Sequence, residues 1–384
     1  MKIIFISLYF LSTLFASEII VGAASKNAYL PLLKEKNIAV VVNQSSLVNN
    51  THLVDMLLSE DVQIMKIFAP EHGFRGKADA GEHVVDGVDT KSGLPIISLY
   101  GKHKKPTKED LKGIEVIVFD IQDVGVRFYT YLSTLHYVME AASENNISFL
   151  LLDRPNPNVN RIDGPILTKE QRSFVGLHPV PILYGMSIGE YAQMINGEGW
   201  LKDGIQTDLY VVRVQNYRHD SFYHLPLKPS PNLPNDLSIA LYSSLALFEG
   251  TQISAGRGTT KQFQLYGAPK YTKRAFSFMP EPRSGAKYPK HQGKRCYGVD
   301  LSATAIEDVR NAKTLNLHYL LDAYTNYSDK GTFFLKNGFF DRLAGNSDLR
   351  KQIIAGRSAS EIRERWQEGL KRFKKIRQKY LLYP

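Results

Sequence analysis

Polar and apolar residues fall in blocks along the chain. Predominantly apolar runs stand at 38–42, 62–68, 94–99, 116–119 and 147–152. Each is short enough for a strand and too short for an ordinary helix. Between them, 51–59 carries Leu53, Met56 and Leu57 at helical spacing, and 133–144 reads as a second helix. Continuous apolar strands separated by helices predict an α/β protein with a parallel sheet covered on both faces. The texture changes after Gly164, and a domain boundary is expected near 160–180. Residues 175–183 are interrupted by prolines and read as linker or edge strand, and 209–214 reads as a strand. Ser187 and Glu190 have capping-box spacing and open a helix to about Asn196. Asp236 is expected to cap a helix ending near Phe248, and 315–324 is helical. Ser358 and Glu361 repeat the capping box and open one last helix toward Lys379.

The ends of the strands carry the chemistry. Asn43 and Gln44 follow the first strand, and Pro70-Glu71-His72-Gly73 follows the second. Asp120 and Asp123 follow the fourth, and Asp153 and Arg154 the fifth. In an open parallel sheet the carboxyl ends share one edge, where ligands bind. These residues are therefore expected to converge on one cleft. The richest stretch is 68–87, where Arg75, Asp79, Glu82, His83 and Asp86 crowd behind Glu71 and His72.

Composition narrows the compartment. The chain has 384 residues, 43% of them hydrophobic, and a formal charge of +10. Residues 1–16 have the plan of a secretory signal: Lys2, an apolar stretch, then Ala16 before a polar segment. A membrane anchor needs roughly 20 apolar residues, so no stable insertion is expected once the signal is cut. Export and a single cysteine, Cys296, exclude an internal disulfide. Much of the positive charge lies in 363–379, where it reads as the solvated face of a helix. No zinc-finger spacing, RNP-like motif or phosphate loop appears, so nucleic acid is not an expected partner.

Glu71 and His72 are the leading catalytic candidates, because a glutamate whose pKa is raised by burial acts as a general acid. Asp120 and Asp123 are open to three readings: a second carboxylate, a metal site, or loop caps. His72, His83, Asp86 and Asp120 show no recognised ligand spacing, so no metal is assigned and nothing calls for a cofactor. Arg127, Arg154 and Arg257 each sit in a polar loop and suit a carboxylate-reading fork. Tyr129 and Tyr131 suit stacking on a sugar ring. Gly185-Met186-Ser187-Ile188-Gly189 matches the nucleophile elbow of serine hydrolases, but Ser187 already has a capping role.

Taken together, Pro70-Glu71-His72-Gly73, the segment from Asp120 to Tyr131, Asp153-Arg154-Pro155-Asn156-Pro157, Tyr184 to Glu190, Phe248-Glu249-Gly250-Thr251 and Gly256-Arg257-Gly258-Thr259 resemble the NamZ-type exo-β-N-acetylmuramidases. That group was long catalogued as a domain of unknown function. The resemblance covers nearly all of the mature chain. It implies a Rossmann-like domain at 17–165, a second α/β domain at 166–384, and an active-site cleft between them. It implies release of N-acetylmuramic acid from the non-reducing end of peptidoglycan fragments, with peptidoglycan-derived muramyl saccharides as partners. The family's catalytic glutamate falls on Glu71. Around it, Arg127, Tyr129, Arg154, Asn156, Asn232, Glu249 and Arg257 are expected to bind substrate, with His72, Asp120 and Asp123 assisting catalysis. Two departures stand out: Lys261-Gln262-Phe263 where relatives often have proline-phenylalanine, and serine at 187 where threonine is frequent. The rival expectations are a periplasmic sugar-binding protein without catalysis and a serine esterase acting on cell-wall substituents.

Overall fold

The computed structural model describes residues 18–74 and 86–384. The expected signal therefore lies outside the described residues, as do Arg75, Asp79, Glu82 and His83. Seven strands form the central sheet: β1 (Ile38–Val42), β2 (Ile64–Ala69), β3 (Gly87–Val88), β4 (Pro95–Ser98), β5 (Val116–Asp120), β6 (Ser148–Leu152) and β7 (Leu209–Val212). Their order is β7-β6-β5-β1-β2-β4-β3, and every pairing is parallel except that of the short edge strand β3.

The apolar runs produce this sheet by burying both faces. Along β1, Ala39 and Val41 join one core, while Ile38, Val40 and Val42 join another. Along β5, Ile117 and Phe119 face the first core, and Val116 and Val118 the second. This is the two-residue period of a strand, with both sides apolar. Helix α1 (Leu53–Ser59) belongs to the second core through Leu53, Val54, Met56 and Leu57. Helix α2 (Tyr131–Glu144) belongs to the first.

The first core does not stop at the sheet. It continues through α3 (Ile188–Gly197) and α4 (Asp236–Leu245) into residues such as Phe248, Tyr266, Phe333 and Phe340. The C-terminal part thus packs on one face of the sheet. It carries its own antiparallel sheet of β8 (Leu265–Ala268), β9 (Ser277–Phe278) and β10 (Cys296–Asp300), in the order β8-β10-β9. Strand β7, which a division at 165 assigns to the second domain, is hydrogen-bonded to β6 in the first sheet.

Two helix expectations need correction. Helix α4 is capped by Asn235, not Asp236. Asn235 has extended backbone, and its side chain accepts from Ser238 N at 2.9 Å. The last helix is two helices, Ala359–Glu364 and α5 (Gln367–Gln378). The chain breaks where the indole of Trp366 turns into the core, with Trp366 N donating to Arg363 O at 3.0 Å.

Candidate active site

A cavity of about 720 Å³ lies where the carboxyl edge of the large sheet meets the C-terminal part, and residues from both line it. On the sheet side stand Glu71, His72, Tyr100 and residues 128–130; on the other side stand Asn232, Tyr242, Glu249, Arg257 and Lys290.

Glu71 reaches the cavity because β2 ends abruptly. Pro70 cannot extend the ladder, and Gly73 N donates back to Pro70 O at 2.9 Å. His72 and Gly73 both take left-handed backbone, with φ of 71° and 75°. For histidine this conformation costs on the order of 1–2 kcal/mol, and such strain clusters at functional sites. The turn leaves Glu71 half-buried and His72 buried against the cavity. Thr130 Oγ1 donates to Glu71 Oε2 at 2.5 Å. Thr130 precedes α2, yet its hydroxyl is spent on Glu71 and does not cap the helix.

The neighbouring strand ends hold the opposite wall in place. Tyr129 OH and Gln44 Nε2 both donate to Pro229 O, at 2.7 and 3.1 Å. They pin the proline-rich loop that presents Asn232. Asn232 Nδ2 donates to Gly285 O at 2.6 Å, while its buried Oδ1 has no hydrogen-bond partner. Arg257 Nη1 lies 3.3 Å from Glu249 Oε1, Nη2 donates to Gly285 O at 3.3 Å, and the buried Nε is unpartnered. Two residues of one cavity lining thus each carry a buried, unsatisfied polar atom. Native proteins rarely tolerate such groups away from ligand sites. Lys290 is anchored by the carbonyls of Phe248, Thr251 and Ile253, the segment that carries Glu249. Burial lowers its pKa to about 8, with Glu249 pulling upward and Arg257 downward.

Lys290 and Tyr242 are cavity residues that sequence reasoning missed. Tyr242 lies on α4 with its ring edge-on to Phe128, Tyr129 and Phe263, at centroid distances of 5.5, 6.1 and 4.8 Å. Burial, then the charges of Glu249 and Glu71, push its hydroxyl well above the ordinary tyrosine range, so it stays protonated as a donor. The only sequence signal was a tyrosine on the cavity-facing side of a capped helix.

Several expected site residues lie outside the cavity lining. Asp120 and Arg154 are buried and form a fork, Nε to Oδ1 at 2.5 Å and Nη2 to Oδ2 at 2.8 Å. Asp123 is buried, accepting from Gly125 N at 2.6 Å and from the hydroxyl of Tyr184. Burial raises its pKa to about 6, with the Tyr184 and Gly125 hydrogen bonds opposing. Arg127 is 2% exposed and spends its guanidinium on the carbonyls of Pro165, Val180, Leu343 and Ala344 at 2.7–3.0 Å. It ties the two halves together, and burial lowers its pKa to about 9. Asn156 is buried, with Nδ2 on Met186 O at 2.8 Å and Oδ1 accepting from Asn158 N at 2.7 Å. Tyr131 is buried and lies edge-on to Tyr129 at 4.7 Å. Strand-end polar residues near the β1–β5 crossover thus fill the sheet edge with internal bonds. Those of β2 and β4 reach the cavity.

Ser187 is fully buried. Its hydroxyl donates to Asp153 Oδ2 at 2.6 Å and accepts from Glu190 N at 3.1 Å. The histidine next to this cluster, His219, meets Glu190 at 3.0 Å and not Ser187. A nucleophile elbow presents its serine to substrate, and this one is enclosed. Cys296 is buried, which pushes its thiol to about 12 and keeps it protonated. Asp86 is exposed and accepts from Ser98 N at 2.8 Å. Among the described residues, no group of His, Cys, Asp and Glu is placed to hold a metal ion.

Comparison with known proteins points the same way. Residues 38–237 match the family model for the N-terminal part of exo-beta-N-acetylmuramidase NamZ, and 240–383 match that for its C-terminal part. The peptidoglycan beta-N-acetylmuramidase NamZ of Bacillus subtilis is 42% identical over 381 residues, spanning 92% of this chain and 89% of that protein. A DUF1343 family protein from Bacteroides fragilis superimposes with a TM-score of 0.89 at 45% identity, covering 96% of this chain and 99% of that one. A second from the same organism gives 0.81 at 28% identity, covering 95% and 99%.

Proposed function

The chain belongs to the NamZ exo-β-N-acetylmuramidase family, and we propose that it cleaves N-acetylmuramic acid from the non-reducing end of peptidoglycan fragments. The observation that carries this reading is a half-buried glutamate, Glu71, fixed by Thr130 at the wall of a cavity large enough for a saccharide. Glycosidic cleavage needs a carboxylic acid to protonate the leaving oxygen and a second group to meet the oxocarbenium-like centre. Glu71 is the acid. Glu249, held by Arg257, is the other carboxylate lining the cavity among the described residues, and it takes the second role. Asp120 and Asp123 are withdrawn from it by burial and internal bonds.

Muramic acid differs from glucosamine by a lactyl ether that ends in a carboxylate. Arg257 reads this group through its planar fork, and the net positive pair of Arg257 and Lys290 around Glu249 favours an anionic ligand there. Asn232 borders the sugar, and the Tyr242 hydroxyl donates to it. His72 holds the strained turn that aims Glu71. We place the protein outside the cytoplasm, with 1–16 as its export signal. Among the described residues no helix is long and apolar enough to cross a membrane. Incubation with a muramyl-glucosamine disaccharide, with products identified by mass, tests the reading. Equimolar N-acetylmuramic acid and N-acetylglucosamine are expected, and intact disaccharide would refute it.

A further inference from the structure

Beyond Arg257 and Lys290, the cavity has a third cation. Lys104 lines it, and its ammonium lies 4.9 Å from the ring centroid of Phe174. Phe174 also lines the cavity, stacked on Tyr137 at an interplanar angle of 11° and edge-on to Tyr100 at 5.9 Å. The adjacent Lys105 is neutralised by Glu140 and Glu144, each at 2.7 Å. Among the described residues Lys104 meets no carboxylate, and its side chain lines the cavity beside Phe174. A half-buried ammonium over an aromatic shelf suits an anion on a sugar, with the ring face packing on the pyranose and the cation taking the charge.

Topology sets which side of the scissile bond this shelf serves. Strands β2 and β4 are parallel neighbours, with Ala69 opposite Ser98 and Leu99 N donating to Ala69 O at 2.8 Å. Glu71 and Tyr100 therefore leave the sheet side by side, each two residues beyond that pair. Lys104 follows in the same loop. A general acid stands beside the leaving oxygen, so with Glu71 in that role the elements flanking it are assigned to the leaving sugar chain. Arg257, Glu249 and Lys290 come from the C-terminal part and are assigned to the muramyl unit at the chain end.

We infer that Lys104 and Phe174 form a leaving-chain subsite that binds a second lactyl carboxylate, borne by the muramyl sugar that follows the first glucosamine. This rests on the muramidase reading and extends it. In a chain of alternating glucosaminyl and muramyl units, a disaccharide lacks that carboxylate and a tetrasaccharide carries it. The enzyme is thus tuned to strand ends longer than a disaccharide.

The test compares kcat/KM on muramyl-glucosamine disaccharide and on the corresponding tetrasaccharide, in wild type, Lys104→Gln, Lys104→Arg and Phe174→Leu. Wild type is expected to prefer the tetrasaccharide by about three- to tenfold, the range of one charge-assisted contact at a half-exposed site. Lys104→Gln and Phe174→Leu are expected to bring the ratio near unity, and Lys104→Arg to keep it. High salt should erode the wild-type ratio. Equal rates on both substrates in wild type, or an undiminished ratio in Lys104→Gln, overturns the subsite. If wild type releases no N-acetylmuramic acid from either substrate, the proposed function falls. The subsite is then judged by calorimetric affinity for the tetrasaccharide: weaker binding by Lys104→Gln supports it, and equal or absent binding overturns it.

Discussion

Replacing Arg257 by alanine separates substrate reading from stability. Its ion pair with Glu249 spans 3.3 Å, and both side chains are 27% exposed. A pair of that kind contributes about 0.2–1 kcal/mol. Loss of the unpartnered buried Nε offsets part of even this, so the melting temperature should move little. Toward an ionised lactyl group the same guanidinium makes a charge-assisted contact worth about 1.5–3 kcal/mol. With tenfold per 1.4 kcal/mol, kcat/KM on an aryl muramide should fall by about one to two orders of magnitude. An aryl glucosaminide lacks the carboxylate and should lose much less. Arg257→Lys restores a charge but cannot hold both Glu249 and Gly285 in one planar fork, so it should recover only part of the muramide rate. The assay is the ratio of kcat/KM on the two substrates, measured beside thermal melts. Equal losses on both, at unchanged melting temperature, would refute a carboxylate-reading role.

Three other substitutions probe what surrounds the site. Ser187→Ala removes a helix cap and one of the two hydroxyls that donate to the buried Asp153, leaving that of Tyr383; chemical denaturation should show a loss of about 1–3 kcal/mol, with turnover per folded molecule unchanged. Activity lost at unchanged stability would instead favour an esterase. Asp123→Asn addresses pH. Burial raises the folded pKa of Asp123 to about 6, whereas the unfolded value is about 3.9, so its stabilising term is fully present below the unfolded value and is lost as pH rises through 6. The asparagine variant lacks this term, so its stability relative to wild type should climb by about 1.4 kcal/mol per pH unit across that window; a pH-independent difference would contradict the buried-carboxylate account. Cys296→Ser should keep nearly wild-type turnover in a muramidase assay, since the buried, protonated thiol lies outside the cavity lining and hydrogen-bonds Lys294 O at 3.6 Å.

The sheet was legible because both of its faces are buried. Runs such as 38–42 and 116–119 carry that fact in composition alone, and parallel pairing follows from the helices between them. Glu71 was legible because a proline ends its strand and glycine follows at once. Asp120, Asp123, Arg127, Arg154 and Asn156 were drawn in by the same reasoning, yet they bond to one another, to backbone groups or to Tyr184. A strand-end carboxylate looks identical in sequence whether it faces a ligand or an arginine from the next strand. Arg154 is 34 residues from Asp120, and Arg127 is bound to carbonyls 216 and 217 residues away. Such distant pairings carry no local signature. Tyr242 and Lys290 escaped for the converse reason: a helical tyrosine and a lysine among prolines look like core filling and surface charge.

The role of Glu71 is tested most directly by its glutamine variant on two leaving groups across pH. Glu71→Gln keeps the acceptor for Thr130 Oγ1 and removes the transferable proton. General acid catalysis contributes about 10²–10⁴-fold. Turnover of the natural disaccharide, a poor leaving group, should fall by that order. An activated aryl muramide needs little protonation and should fall far less. The alkaline limb of the wild-type profile should disappear in the variant, and muramic acid binding should persist. A near-normal rate on the disaccharide would remove Glu71 from the mechanism and leave Glu249 as the carboxylate to pursue.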